Sequence, residues 1–97
     1  MKGKAIPEPT WKPYVRAARN HLSAADKAAL PDSAFAFPRV RKEPMTDAAH
    51  VRSAMARFNQ VADVTDAERD LAFANFQKAA GHFGIQMKET DWHQFGS

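Results

Sequence analysis

The stretch that decides the fold is LPDSAFAFPRVRKEPMTDAAHVRSAMARFNQVA, residues 30–62. It begins with a short alternating segment that places Phe35 and Phe37 on one side of an extended chain. A basic loop follows. Apolar residues then recur at spacings of three, four and seven, which predicts a helix over 47–62 with one buried face. Thr46 is a good N-cap for this helix.

A second strong helix signal follows directly along the chain. Thr65 and Glu68 form a capping box of the T-x-x-E type, which predicts a helix over 66–83. Gly84 is a natural left-handed C-cap, and Ile85 can fold back onto the last turn. Because only a short connection separates this helix from the preceding one, the two predict a C-terminal α-hairpin.

Weaker signals place helices ahead of the deciding stretch. Thr10 is a candidate cap for a first main helix that runs to about residue 22. Ser23, with Asp26 three residues later, starts a short helix that Pro31 stops. These signals put a helical region before the Phe-rich segment.

The sequence therefore predicts an all-α fold, a small helical domain of three main helices. A short extended strap, which carries Phe35 and Phe37, is expected to pack across the final pair of helices. Alanine makes up 19 of the 97 residues and β-branched residues are few, a composition that favours helix. We expect residues 1–9 to form a flexible N-terminal arm and residues 10–97 a single helical domain.

Composition excludes several classes of site. The chain has no Cys, so it has neither a disulfide framework nor a thiolate metal site. No apolar run reaches the ~20 residues that span a bilayer, and no secretory signal is present, so we expect a cytoplasmic protein without a membrane partner. Residues 1–57 hold 11 Lys and Arg against five Asp and Glu. This asymmetry permits an anionic partner, and it equally permits attraction between the two halves.

One helix carries a set of polar residues that invites a catalytic interpretation. Asp47, His50 and Ser53 are three residues apart, and Arg57 follows on the same helix. Side chains along one exposed helical face do not enclose the pocket that a nucleophile, base and oxyanion hole require. We therefore expect no catalytic residues, and we interpret His50, Ser53 and Arg57 as a polar interaction flank.

Cofactor and metal motifs are also missing. The four His lack the spacing of metal ligands, and the acidic residues after the second main helix lack the pattern of a calcium loop. The four Gly are isolated, so no phosphate-binding loop is indicated. We expect a protein that is not an enzyme and that holds no cofactor or metal.

Two binding hypotheses remain. The leading one is a non-enzymatic module that binds an unknown protein partner, through aromatic side chains at residues 35, 37, 92 and 95 if these are exposed instead of completing the core. The alternative is a nucleic-acid-binding accessory protein that uses a basic loop and helix. A helix–turn–helix does not fit it, because the recognition helix would begin with three carboxylates. The candidate residues for an anionic partner are Arg39, Arg41, Lys42, Arg52 and Arg57.

The runs LPDSAFAFPRVRKEPMTDAAHVRSAMARFNQV and DAERDLAFANFQKAAGHFGI resemble a family of small bacterial and phage-associated proteins of unknown function. The resemblance covers about residues 23–95 and rests on the LPDSAFA-type segment and the DAAHVRNAIARF-type helix. Ser53 stands where the family pattern often has Asn, and Gly81 and His82 stand where basic residues are common. The resemblance implies a bacterial or phage source and the same arrangement of segments, and it implies no activity.

Overall fold

Three helices and a two-stranded sheet make up the part of the chain that the computed structural model describes, residues 7–14 and 23–95. The helices are α1 (Ala24–Ala29), α2 (Ala48–Arg57) and α3 (Asp66–Phe83), and the strands are β1 (Phe35–Phe37) and β2 (Lys42–Pro44). The strands are antiparallel, with Phe35 opposite Pro44 and Phe37 opposite Lys42. Short 3-10 turns cover Asp32–Ala34, Phe58–Gln60 and Trp92–Gln94.

The prediction of an all-α fold is wrong, because the Phe-rich strap is one strand of a β-hairpin and the fold is a small α+β one. The predicted basic loop after the strap is shorter than a loop over all its basic residues would be, because it ends at Arg41 and β2 begins at Lys42. Arg41 and Glu43 adopt left-handed backbone conformations, with φ of 53° and 61°. Such residues are usually Gly or Asn, so the sequence carries no hairpin signal here. Pro44 also argues against a strand, but at the end of an edge strand it is tolerated.

The predicted first helix is wrong over the part that the structure describes. Residues 10–14 are not helical, and residues 15–22 lie outside the described residues. The backbone N–H groups of Thr10 and Trp11 instead donate to Oδ1 of Asn75, at 2.7 and 2.8 Å. Bonds to a distant side chain replace the bonds that a helix would make.

The predicted N-terminal arm lies mostly outside the described part of the chain. Residues 1–6 are not described by the structure, and residues 7–9 are described without helix or strand. The division into an arm over 1–9 and a single domain over 10–97 stays a prediction.

The main core is an aromatic cluster between α2, α3 and the hairpin. Phe58 lies at its centre, with four neighbouring rings at centroid distances of 5.0–5.9 Å. Those rings belong to Phe37, Phe76, Trp92 and Phe95. The two rings of the strap, Phe35 and Phe37, are both 2 % exposed. They lie in different clusters, because Phe37 belongs to the main core and Phe35 packs in a second cluster with Leu30 and Ala34.

The two capping boxes begin their helices as predicted. Ser23 and Asp26 make reciprocal hydrogen bonds at the start of α1, and Thr65 and Glu68 do so at the start of α3. Gly84 ends α3 with φ of 72°, and the Ile85 N–H donates to the Ala80 carbonyl at 2.8 Å. Local capping chemistry was sufficient to fix these ends.

The bounds of α2 differ from the prediction. Asp47, and not Thr46, is the N-cap, and its carboxylate accepts from the His50 N–H at 2.8 Å. Thr46 is buried, and its hydroxyl has no hydrogen-bond partner among the described residues. The regular helix ends at Arg57, five residues earlier than predicted, and a 3-10 turn carries the chain onward.

Two glycines at the end of α3 give a matched pair of predictions. A Cβ added at Gly81 meets no atom within 4 Å, so Gly81→Ala should stabilise the protein by about 0.5–1 kcal/mol through lower chain entropy. Gly84→Ala should destabilise it by about 1 kcal/mol, because L-residues disfavour the left-handed conformation. Urea unfolding followed by circular dichroism measures both. Shifts of the same sign would contradict the assignment of these two positions.

Candidate functional site

Two open clefts adjoin on the side of the molecule formed by the hairpin and the end of α2. The first, of about 400 Å³, is lined by four basic side chains and the Glu43 carboxylate, and we call it the cationic cleft. The second, of about 360 Å³, contains apolar side chains beside two basic and two acidic ones, and we call it the mixed cleft. The residues that line both are Lys42, Glu43 and Arg57.

Three elements bring the charged groups of the cationic cleft together. Lys27 comes from α1, Lys42 begins β2, and Arg57 is the last residue of α2. The left-handed backbone of Glu43 lies between them, at a residue type that rarely adopts it. Strained backbone of this kind is frequent at functional sites. The boundary between the two clefts, formed by Lys42, Glu43 and Arg57, is therefore the best candidate site in the described chain.

The Glu43 carboxyl is the most enclosed charged group of the site. Its side chain is only 13 % exposed, and burial raises its pKa, opposed by the charges of Arg57, Lys27 and Lys42. The Arg57 guanidinium lies 3.9 Å from Oε1 of Glu43, too far for a good hydrogen bond, and its side chain is 63 % exposed. Arg57 therefore remains available to an anion from outside.

Arg39, in contrast, is committed to partners inside the molecule. It donates to both carboxylate oxygens of Glu68, at 2.5 and 3.0 Å, and to the Asp63 carbonyl at 2.6 Å. The hydrogen bond from Arg39 is the main reason that the pKa of Glu68 falls to about 2. Arg39 thus ties the hairpin to the start of α3, and it lines neither cleft.

Arg41 lines the cationic cleft, but its guanidinium is also engaged internally. It donates to Asp32 at 2.6 Å and to the carbonyls of Lys27 and Leu30 at 3.0 and 2.9 Å. It also lies over the Phe35 ring, 4.6 Å from the centroid. Arg41 therefore holds the C-terminal end of α1 against the hairpin and contributes its charge to the cleft at longer range.

The remaining predicted residues are divided between separate places on α2. Arg52 is exposed and lines neither cleft. Nδ1 of His50 lies 2.8 Å from Asp47 at the start of the helix, whereas Ser53 is exposed. Of the predicted polar flank, only Arg57 belongs to the cleft surface. Of the predicted anionic-partner residues, the structure brings Arg41, Lys42 and Arg57 together.

The aromatic residues proposed as an interaction patch lie mostly inside the protein. Phe35, Phe37 and Phe95 are buried, and Trp92 is half-buried, with its indole N–H donating to Asp70 at 2.8 Å. The four side chains therefore complete the core and form no exposed aromatic patch.

The sequence did not predict the roles of two residues, one in the candidate site and one in the core. Glu43 lies within the basic stretch, and an acid between basic residues was the only signal for it. Asn75 lies among the apolar residues of α3, fully buried and hydrogen-bonded to three other residues. A polar residue on a buried helical face was the available signal there.

The described residues contain neither a cluster of metal ligands nor a helix that could span a membrane. No three of their His, Asp and Glu side chains are grouped as metal ligands would be. Among the helices between residues 23 and 95, none has the length and apolar character to cross a bilayer.

Comparison with known proteins gives a family but no characterised relative. No curated protein matches the chain, and no solved structure does. A family model described as "Family of unknown function (DUF6582)" matches residues 15–90, well over half of the sequence. The chain therefore belongs to this family of unknown function, DUF6582.

Proposed function

We propose that the protein is a non-enzymatic protein-interaction module and that its partner docks on the two adjoining clefts. The observation that carries this proposal is the boundary of Lys42, Glu43 and Arg57, which joins a cationic cleft to a partly apolar one. Protein surfaces that bind other proteins combine apolar contacts with a few charged groups that fix orientation. The exposed Arg57 side chain is suited to such a contact, since Arg is enriched at interfaces.

The nucleic-acid alternative is less well supported by the same geometry. Affinity for a phosphate backbone requires several cations that are free to contact phosphates. The guanidinium groups of Arg39 and Arg41 donate hydrogen bonds to partners inside the molecule. The acidic residues Glu43 and Asp63 also line the mixed cleft. An acidic lining opposes a phosphate chain but tolerates a polypeptide of mixed charge.

A non-enzymatic role agrees with how the polar residues of α2 are placed. His50 makes its hydrogen bond with the N-cap Asp47, and Ser53 stands on the exposed face outside both clefts. Binding, and not bond making, is the chemistry that the cleft surface favours. The family resemblance implies a bacterial or phage source, and we propose a cytoplasmic location.

Site-specific photocrosslinking tests the docking surface. A photoreactive residue replaces Gln60, which lines the mixed cleft, or Gln77, an exposed residue of α3 outside both clefts, as the matched control. Each variant is irradiated in a cytoplasmic extract of a bacterial host, in one sample before and in a second sample after nuclease treatment. We expect a discrete protein crosslink from position 60 and none from position 77. Identical patterns from both positions, or crosslinks to nucleic acid alone before nuclease treatment, would contradict the proposal.

A further inference from the structure

The two clefts differ in charge, and this difference specifies the chemistry of the ligand. The cationic cleft has four basic side chains against the single carboxylate of Glu43. The mixed cleft has two basic and two acidic side chains beside the apolar surfaces of Val40, Val61 and Ala62. An anionic group is therefore favoured in the first cleft, and an apolar group is favoured in the second.

The boundary between the clefts already offers a cation to an incoming carboxylate. Arg57 lies 3.9 Å from Glu43, so its guanidinium is near an acid without being held by a close hydrogen bond. A carboxylate from solvent can form the two parallel hydrogen bonds that Arg prefers. Lys42, which is exposed and lines both clefts, supplies a second positive charge beside it.

We infer that the ligand is a peptide segment of a partner protein that carries an acidic side chain beside an apolar one. The acidic side chain occupies the cationic cleft against Arg57 and Lys42, and the apolar side chain occupies the mixed cleft against Val40 and Val61. This inference rests on the proposed function and adds the class of ligand to it. A peptide fits better than a nucleic acid, because it places one carboxylate near Arg57 and leaves Glu43 facing neutral groups.

Three probes of defined chemistry test the inference with the full-length protein. They are a fluorescent peptide of alternating Glu and Leu, the same peptide with Gln in place of Glu, and a fluorescent single-stranded oligonucleotide. We expect the Glu–Leu peptide to bind most tightly in fluorescence anisotropy and to shift the backbone amide signals of Lys42 and Arg57. Arg57→Gln should weaken its binding about tenfold, the usual effect of losing one charge-assisted pair.

Arg52→Gln is the matched control, because Arg52 is an exposed Arg on the same helix that lines neither cleft. It should leave the affinity within about twofold, since an exposed charge that makes no close contact with the ligand contributes little to binding. Lys42→Gln provides a second cleft variant, and circular dichroism checks that each variant is folded. Equal losses from Arg52→Gln and Arg57→Gln, or tighter binding of the oligonucleotide than of the peptide, would overturn the inference. If no peptide binds while the crosslink from position 60 persists, the ligand class is wrong and the proposed function stands.

Discussion

Asn75→Ala should destabilise the protein by about 3–5 kcal/mol, because it leaves several buried polar groups without partners. The Asn75 side chain accepts hydrogen bonds from the backbone N–H groups of Thr10 and Trp11, at 2.7 and 2.8 Å. It donates to the carbonyl of Ala36 in β1 at 2.9 Å and to the Thr10 hydroxyl at 3.2 Å. One amide thus joins α3 to the N-terminal segment and to the sheet.

Two measurements separate this role from a general loss of stability. Urea unfolding gives the change in free energy, and Gln77→Ala on the exposed face of α3 is the control, with a change within about 0.5 kcal/mol. Hydrogen exchange at the Thr10 and Trp11 amides should accelerate more in Asn75→Ala than exchange in the middle of α3. A destabilisation below about 1 kcal/mol would show that the amide does not join these segments.

The sequence was sufficient to predict α3 and its ends, because every signal for that helix is local. Thr65 and Glu68 lie within one turn of each other, and Gly84 ends the helix through its own backbone conformation. The role of Asn75 could not be read in the same way, since its partners at the N-terminus are 64 and 65 residues away. Spacing along a helix predicts which face is buried, but it does not predict which distant segment of the chain packs against that face.

The β-hairpin escaped prediction for a different physical reason. Its turn ends on a left-handed Arg41, and its second strand contains a left-handed Glu43, residue types that do not mark such conformations. The side chain of Arg41 compensates for part of the cost of its left-handed backbone, because its guanidinium contacts the end of α1 and the Phe35 ring. These tertiary contacts override the local preference of the backbone, and no pattern within the loop reveals them.

Only part of the candidate site could be predicted from the sequence. Positive charge at Lys42 and Arg57 was visible in the sequence, and the structure places both on one surface. The internal role of Arg39 was not visible, because it depends on Glu68, 29 residues later in the chain. Charge identifies which residues can attract an anion, whereas the folded partners decide which of them remain available.

Phe58→Ala should cost about 3–5 kcal/mol of stability, since it removes the ring at the centre of the aromatic core. The Phe58 ring is fully buried, and the nearest of its four ring neighbours, Phe95, lies 5.0 Å away between centroids. Phe58→Leu keeps most of the volume and should cost less, about 1–2 kcal/mol. Urea unfolding of the two variants gives the comparison, and losses below about 1 kcal/mol in both would mean that the core relaxes around either substitution.

The same pair of variants tests whether packing positions the cleft. Phe58 follows Arg57 directly, and its carbonyl accepts a hydrogen bond from Arg69 of α3 at 3.3 Å. A buried ring beside Arg57 therefore fixes where α2 ends and where the Arg57 side chain leaves the surface. Under conditions where both variants are folded, Phe58→Leu should bind the Glu–Leu peptide as the unmodified protein does, and Phe58→Ala should bind it more weakly. Unchanged peptide binding in Phe58→Ala would show that Arg57 is positioned by its own helix and not by the aromatic core.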